Sequence, residues 1–531
     1  MRYSILLSFL FAFREVSSYN YLVVNPIFGY SHAKFIGKLV DVIADAGHNV
    51  TVFQHYHFPL KNIDKLIKNK NVEIINYFPE NYEEVQKKEA QTFPDFWDSA
   101  LMTNVMLGSF MVPKLLTSEF QKESTRVLQD TELHQRLRDR KFDAALCEVF
   151  DSSGFYLAHL VGLPPIAIFS AVRHPVQSLF GQPSILGYVP GEGSKLPPAA
   201  GFLDRIIDYY TIYFGEVMFN GLLEAQHKVY SAAIGGNVPH WTELVRKSPV
   251  FITNANPYLD FAVPATGNVV QIGGITTPKQ LKLEPLPEEY EQILREREST
   301  VLVSFGSVVR SFQMPEKFKS GIIRMFENLP DVTFIWKYEK DDVEFEKRLP
   351  KNVHLKKWVP QPSLLADERL KVFVTHGGLG STMEVAYSGK PALMVPLFGD
   401  QPMNAQMLAR HGGAVAYNKY ELPDGNKLTR VMRDLVDSRK YKESAQELRE
   451  VLRNQPIDPK ETFLKHLEFA VKFPNFKSQI PEISEAGFIG FFYLDVVLFL
   501  SALLLVSVYL LFKLTLRVSQ KFIQSKKPKN E

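Results

Sequence analysis

Cysteine is nearly absent. Cys147 stands alone among 531 residues, which excludes any disulfide within the chain. A strong charge of either sign is missing too: the formal net charge is +3, so nothing suggests a nucleic-acid partner. With 45% apolar and 22% charged residues there is no compositional case for disorder, and no short-period repeat or low-complexity tract breaks the chain. Metal-ligand patterns are scarce. The one ligand-spaced histidine pair, His55-x-His57, sits at a strand end without a third ligand near it in sequence, and it reads as structural. A complete dinucleotide fingerprint is missing as well. Gly378-x-Gly380 is followed by Met383 where a third glycine or alanine belongs, and it comes late in the chain, which argues against a nicotinamide-dependent oxidoreductase.

Long hydrophobic runs occur only at the two ends. Arg2 precedes the apolar run Ile5 to Phe13, and Val16 and Ser18 occupy the small-residue positions of a cleavage site before Tyr19. Residues 1–18 therefore read as a secretory signal peptide. Phe488 to Phe512 carries only Asp495 as a charge. At about 1.5 Å per residue this stretch reaches about 37 Å, enough to cross a bilayer with some tilt. Lys513, Arg517, Lys521, Lys526, Lys527 and Lys529 follow, against Glu531 alone. The basic excess places 513–531 in the cytosol and the preceding body on the other side of a single span at 488–512. Lys527 and Lys529 also have the spacing of a dilysine retrieval signal, which points to the endoplasmic reticulum membrane. The one glycosylation sequon, Asn49-Val50-Thr51, opens an apolar strand and is expected to be too buried for use.

Between the ends, short β-rich runs alternate with helical patterns. Tyr21–Asn25 reads as a strand, Ala33–Ala46 as a helix with Phe35, Ile36, Leu39, Val40 and Ile43 on one face, and Asn49–Phe53 as the next strand. Strand, helix and strand within about 35 residues make a βαβ unit and a parallel sheet. Val72–Tyr77, Ala144–Glu148 and Pro165–Phe169 continue the series, and Phe93 to Leu137 is mostly helical. Thr277–Ser299 is polar, holds three prolines (Pro278, Pro285 and Pro287) and reads as a linker. The alternation restarts beyond it with Thr300–Phe305, Val332–Lys337, His354–Leu355, Lys371–Thr375, Ala392–Val395 and Ala414–Ala416. The chain is thus α/β, with two doubly wound Rossmann-like domains at 19–280 and 281–480 and a ligand cleft expected between them.

The stretch FVTHGGLGSTME, Phe373 to Glu384, places His376, Gly377 and Gly378 where a buried strand becomes a helix. A helix N-terminus offers free N–H groups and partial positive charge to a phosphate, and glycine lets the backbone approach an anion closely. His376 and Ser381 add donors, Thr382 adds another, and Glu384 can accept from ribose hydroxyls. These residue types suit a diphosphate nucleoside.

The longer stretch Val372 to Gln401, VFVTHGGLGSTMEVAYSGKPALMVPLFGDQ, resembles the signature of the UDP-glycosyltransferase family, in particular its membrane-bound UDP-glucuronosyltransferase branch. Thr375, His376, Gly378, Glu384, Pro391, Pro396, Asp400 and Gln401 carry the match. Trp358-Val359-Pro360-Gln361 resembles the family's W-x-P-Q, whose indole stacks on uracil, and Phe305-Gly306-Ser307 its turn near the diphosphate. Gln182-Pro183-Ser184 with Gly187-Tyr188-Val189-Pro190 is similar to a segment of the same branch. Leader, body, span and basic tail follow the branch's order, so the resemblance covers essentially the whole chain. It implies two facing Rossmann-like domains of GT-B type, the second holding a UDP-sugar and the first a small lipophilic acceptor. Asp400 and Gln401 would bind sugar hydroxyls, and Gln361 would act with Trp358. Gly380 replaces the asparagine that vertebrate members often carry, and Leu379 also differs from the commoner residues.

Transfer to a hydroxyl with inversion needs a base. His32, in Gly29-Tyr30-Ser31-His32 after the first strand, matches the family's catalytic histidine. The family's F-D-x-x-x-x-D runs here as Phe142-Asp143-Ala144-Ala145-Leu146-Cys147 followed by Glu148, with Asp151 three residues on. Glu148 and Asp151 are both candidates for the carboxylate behind His32. No Asp-x-Asp follows a strand in the manner of a Mg²⁺-dependent sugar transferase, so a metal-independent reaction is expected, without cofactor, moving glucuronate or glucose from UDP. Phe93, Phe96, Trp97, Met102, Met106, Leu107 and Phe110 could line the acceptor pocket or touch the membrane. A single-span enzyme of this kind is compatible with homo-oligomerisation. A non-catalytic member that binds sugar nucleotides or lipophiles is the alternative, and retention of His32 argues against it.

Overall fold

A computed structural model describes residues 18–525, apart from 59, 61–62, 81, 83–96, 98–104, 192–198, 278–283, 307–308, 477–479 and 483–485. The leader, the tail lysines Lys526, Lys527 and Lys529, Ser307, Phe93, Phe96 and Met102 lie outside the described residues.

Two parallel sheets organise the body. The first has seven strands in the order β3-β2-β1-β4-β5-β6-β7. They are β1 (Asn20–Ile27), β2 (Asn49–Tyr56), β3 (Glu73–Tyr77), β4 (Ala144–Glu148), β5 (Pro165–Phe169), β6 (Phe251–Thr253) and β7 (Val269–Gln271). The second has six, in the order β10-β9-β8-β11-β12-β13. These are β8 (Ser299–Ser304), β9 (Val332–Lys337), β10 (Val353–Lys356), β11 (Leu370–Thr375), β12 (Ala392–Met394) and β13 (Ala414–Ala416). Central strands such as β1 and β4 are apolar and buried along nearly their whole length, as strands covered by helices on both faces must be. In each sheet the order reverses direction at one place, between β1 and β4 and between β8 and β11. Ligands bind at such switch points, outside the carboxyl ends of the strands.

The helices that matter for the site are, in chain order, α1 (Tyr30–Asp45), α2 (Val105–Gln129), α3 (Ser153–Val161), α4 (Phe202–Ile234), α5 (Leu379–Ser388), α6 (Gln401–Ala409), α7 (Pro459–Lys472) and α8 (Leu494–Ser525). On α1 the expected apolar face is buried: Phe35, Ile36, Leu39, Val40 and Ile43 pack with Tyr21, Val23 and Val52. Among the described residues, α8 contains the one stretch long and apolar enough to cross a membrane, Leu494–Lys521, and none of it is covered by the body. It fits a single-pass anchor.

Several details refine or depart from the sequence reading. Within the expected linker, Glu288–Arg295 is a helix whose Tyr290, Ile293 and Leu294 are buried against Leu302 and Phe373 of the second sheet. Helix α7, within the stretch assigned to the second domain, returns to the first: Phe463, Leu467 and Ala470 are buried with Tyr21, Ile36 and Val270. Trp97 lies in the second core rather than in a pocket, against Phe305 and Phe318, with its Nε1 donating to the Arg310 carbonyl. Met106 and Phe110 are exposed on α2. Asn49 is exposed at the start of β2 while Val50 and Thr51 are buried, so the sequon's asparagine is more open than its apolar strand suggested.

Candidate active site

The carboxyl ends of both sheets open onto one shared cavity of about 1730 Å³. That exceeds the roughly 300–1,000 Å³ of a site for one drug-sized ligand, so two substrates fit side by side. From the first half it is lined by His32, Lys34, Phe150 and Ser170, and from the second by Gly306, Trp358, Gln361, His376, Gly378, Ser381, Glu384, Asp400 and Gln401. The imidazole expected as base and the helix terminus expected to hold a diphosphate therefore face the same space.

His32 lies in the first turn of α1, two residues past the β1–α1 junction. Its ring packs between Phe28 and Phe150, at centroid distances of 4.4 and 5.6 Å. This apolar surround disfavours the imidazolium and lowers the His32 pKa to about 4. Nδ1 points inward, 4.0 Å from Glu148 Oε2, and the Ser170 hydroxyl hydrogen-bonds to the same Nδ1. Ser170 also donates its N–H to Glu148 Oε2 at 3.2 Å, and its hydroxyl reaches that carboxylate. Glu148 ends β4 with a fully buried side chain. Burial raises its pKa to about 8, against the opposing hydrogen bonds from Ser170. Ser170 was not anticipated from sequence. Its only signal is its position, the first polar residue after the buried run of β5, which pairs with β4 at the switch point.

Asp151, the other candidate, is committed elsewhere. Its Oδ2 lies 3.0 Å from His55 Nε2, 2.9 Å from His57 Nε2 and 2.8 Å from Ser153 Oγ. Its Oδ1 accepts from the Ser153 N–H and the Tyr230 hydroxyl, each at 3.0 Å. Hydrogen bonds from the two imidazoles keep this carboxyl well below the usual carboxylate range despite burial. Glu148 is the carboxylate that faces His32. The same geometry corrects the reading of His55-x-His57: the pair does have a third ligand-type group beside it, Asp151, brought from β4 by the fold.

In the second half, Thr375 ends β11 and is fully buried. Gly377 follows with φ +82, and α5 begins after Gly378. The His376 ring lies between two backbone turns. A Cβ on Gly306 would sit 2.6 Å from His376 Cε1, and one on Gly378 would sit 2.6 Å from His376 Nε2. Both positions must be glycine for the imidazole to occupy this slot, and Gly306 also has φ +87. Burial and the Lys337 ammonium lower the His376 pKa to about 4, so it presents a neutral ring. Lys337, at the end of β9, donates to the Gly306 carbonyl at 2.5 Å and lies 5.1 Å from the Trp358 ring centroid. It is a cavity-lining cation that the sequence reading did not single out. Thr382, expected to add a donor, is buried, and its hydroxyl donates to the Gly377 and Gly378 carbonyls.

Trp358 is 66% exposed, an aromatic platform open to the cavity. Glu384 accepts from Gln361 Nε2 at 2.6 Å and from Lys34 Nζ, across the cleft, at 3.0 Å. The Gln401 side-chain carbonyl accepts from the backbone N–H groups of Leu397 and Phe398, at 2.9 and 3.2 Å, which leaves its amide N–H₂ as the free end. Asp400 lines the cavity beside it and accepts from Asn404 Nδ2 at 2.8 Å. A Cβ on Gly380 would meet nothing within 4 Å, so the asparagine that the family resemblance leads one to expect is spatially permitted there.

Residues 21–529 match the family model described as UDP-glucoronosyl and UDP-glucosyl transferase. The chain belongs to this family. Human UDP-glucuronosyltransferase 3A2 is 27% identical over 497 residues, covering 92% of this chain and 91% of its own length. The putative UDP-glucuronosyltransferase ugt-55 of Caenorhabditis elegans is 30% identical over 406 residues, covering 74% of each chain. UDP-glucosyltransferase 2 of Dactylopius coccus is 28% identical over 461 residues, covering 85% of this chain and 84% of its own. Among solved structures, the calicheamicin glycosyltransferase CalG4 superposes with a TM-score of 0.55 at 16% identity, covering 87% of this chain and 99% of its own. Phytolacca americana UGT2, complexed with UDP-2fluoro-glucose and pterostilbene, gives 0.54 at 15% identity, covering 85% and 100%. Both support the GT-B fold. The enzyme is a UDP-sugar-dependent glycosyltransferase.

Proposed function

We propose that the enzyme transfers glucuronate or glucose from UDP to a hydroxyl of a small lipophilic acceptor, with inversion and with His32 as general base. Uracil stacks on the Trp358 indole, and the ribose hydroxyls donate to Glu384, positioned by Gln361. The diphosphate lies against the N-terminus of α5, with the Gly306 and Gly378 backbone, Ser381, His376 and Lys337 around it. Sugar hydroxyls reach Asp400 and the Gln401 amide. The role expected of Ser307 rests on the family resemblance alone. The acceptor hydroxyl gives its proton to His32 Nε2 as its oxygen bonds to the anomeric carbon. The bond from that carbon to the phosphate oxygen breaks, and the electron pair leaves with UDP, where the helix terminus and Lys337 offset the new charge. No metal is needed for this step.

Ionised Glu148, accepting the Ser170 hydroxyl proton, makes Ser170 an acceptor for His32 Nδ1–H. The Nε2 lone pair is then free for the acceptor proton. The relatives' names include both glucuronosyl- and glucosyltransferases, so both sugars are proposed donors. The basic flank after the span, Lys513, Arg517 and Lys521, together with the leader at 1–18 and the dilysine-like tail, supports a body facing the lumen of the endoplasmic reticulum.

One observation carries the reading: His32 and the His376–Gly378 turn line one cavity. Its test is turnover of UDP-glucuronate and UDP-glucose over a panel of phenols by membranes holding the wild type or His32→Ala. Removal of a general base lowers kcat by about 10²–10⁴, with UDP affinity unchanged. Equal turnover in both would overturn the base assignment.

A further inference from the structure

Outside the transfer machinery, a polar cluster lies deep in the first domain. His55 and His57 are two residues apart at the end of β2, so their side chains fall on one face. Asp151 comes from the turn after β4, Ser153 from the start of α3, Ser124 from α2 and Tyr230 from α4. His55, Asp151, Ser153 and Ser124 are at most 1% exposed, and His57 is 6% exposed. The ligand atoms of His55, His57 and Asp151 lie within 4.8 Å of one another.

As a hydrogen-bond cluster this arrangement is oversubscribed. Asp151 Oδ2 has His55 Nε2 at 3.0 Å, His57 Nε2 at 2.9 Å, Ser153 Oγ at 2.8 Å and Ser124 Oγ at 3.3 Å. One carboxylate oxygen offers about two lone pairs, so these four groups crowd it, and Ser153 Oγ and Ser124 Oγ have His55 and Tyr230 as further partners. Four of these atoms instead stand close enough to serve as the ligands of one ion. From Asp151 Oδ2 the separations are 3.0, 2.9 and 2.8 Å, Ser153 Oγ lies 3.3 Å from His55 Nε2, and the two imidazoles and the carboxylate are within 4.8 Å of one another. A four-coordinate ion with bonds of about 2.0–2.1 Å needs edges of about 3.3 Å, so each ligand would withdraw by only a few tenths of an ångström.

We propose that His55, His57, Asp151 and Ser153 form a buried binding site for one divalent ion of zinc type. Two imidazoles with one carboxylate and a hydroxyl suit such an ion better than calcium or magnesium, which favour all-oxygen sets. Each imidazole turns its Nε2 lone pair to the ion and keeps its proton on Nδ1. The Tyr230 hydroxyl and the Ser153 N–H hold the second Asp151 oxygen and orient the carboxylate. His57 also borders the large cavity, with its side chain fully buried. The site is structural: it ties β2, α2, α3 and α4 together behind the cavity wall, apart from the donor-binding turns of the second sheet.

The test is elemental analysis of the full-length chain, purified in detergent after expression in zinc-replete cells, with parallel exchange of cobalt into the wild type. The expected result is about one zinc per chain, visible d–d bands of four-coordinate cobalt, and a fall of about tenfold or more in retained metal for Asp151→Asn. The His32→Ala chain should keep its metal. A folded wild type with no bound metal and no cobalt bands would overturn the site, as would an Asp151→Asn chain that retains its zinc. Should Asp151→Asn fail to fold, the cobalt spectrum of the wild type decides alone.

Discussion

His32 and Glu148 are joined through Ser170 and both are buried, so they are expected to titrate as one unit. Burial pushes the imidazole down to about 4 and the carboxyl up to about 8. Between those values the pair keeps a single proton, and the form proposed to act as base, with Nε2 free and Glu148 ionised, appears only once that proton leaves. The sign follows: kcat/KM rises with pH along a limb near 8, not near the 6.5 of an ordinary imidazole. Glu148→Gln removes the upper titration. Its amide oxygen still accepts from Ser170, so the profile flattens between pH 6.5 and 8.5 while the plateau drops. A wild-type limb near 6.5 would contradict the coupling. Ser170→Ala removes one hydrogen bond from Nδ1, a loss of about 1–1.5 kcal/mol or about tenfold in kcat. Because Ser170 positions rather than reacts, the KM for UDP-sugar should stay unchanged and the limb near 8 should lose its steepness.

Elements carry the donor half of the site, and here the sequence was most informative. The run from Phe373 to Glu384 reports its own geometry, because β11, the Gly377 turn and the start of α5 are contiguous. The parallel sheets were legible from alternating periodicity, except β6 and β7, two three-residue edge-side strands that the sequence pattern did not mark. What stayed hidden depends on neighbours distant in sequence: Ser170 beside Glu148, Lys337 beside Gly306, and Asp151 beside His55. The order of strands in the sheets creates such contacts, and periodicity within one strand is blind to them. The glycine turns give a sharp test at this level. Gly306→Ala combines a left-handed backbone, costing about 1–2 kcal/mol for any L side chain, with a Cβ aimed into His376. UDP affinity by calorimetry should fall about tenfold or more, with a lowered Tm. Gly380→Ala meets open space and should leave both within error.

The two halves are joined by contacts of different kinds. Trp97 Nε1 donates across to the Arg310 carbonyl, His411 Nε2 lies 2.8 Å from the Leu259 carbonyl, and α7 returns to the first domain. The His411 and α7 contacts lie outside the cavity lining and can persist through turnover, whereas Arg310 itself borders the cavity. The Lys34–Glu384 pair differs, because it crosses the cleft and engages the carboxylate proposed to hold ribose. Gln361 occupies Oε2 and Lys34 occupies Oε1, so about one lone pair remains on each oxygen and ribose hydroxyls meet a carboxylate already held by the lysine. Lys34 is 44% exposed, and a pair this open contributes about 0.2–1 kcal/mol, less in salt. Lys34→Ala should therefore tighten UDP binding, by up to about fivefold at low ionic strength, with the gain fading as salt rises. Titration calorimetry with UDP at two salt concentrations measures it. Weaker binding would instead make Lys34 a ligand contact, and the ion pair would then be only the resting position of a phosphate-binding cation.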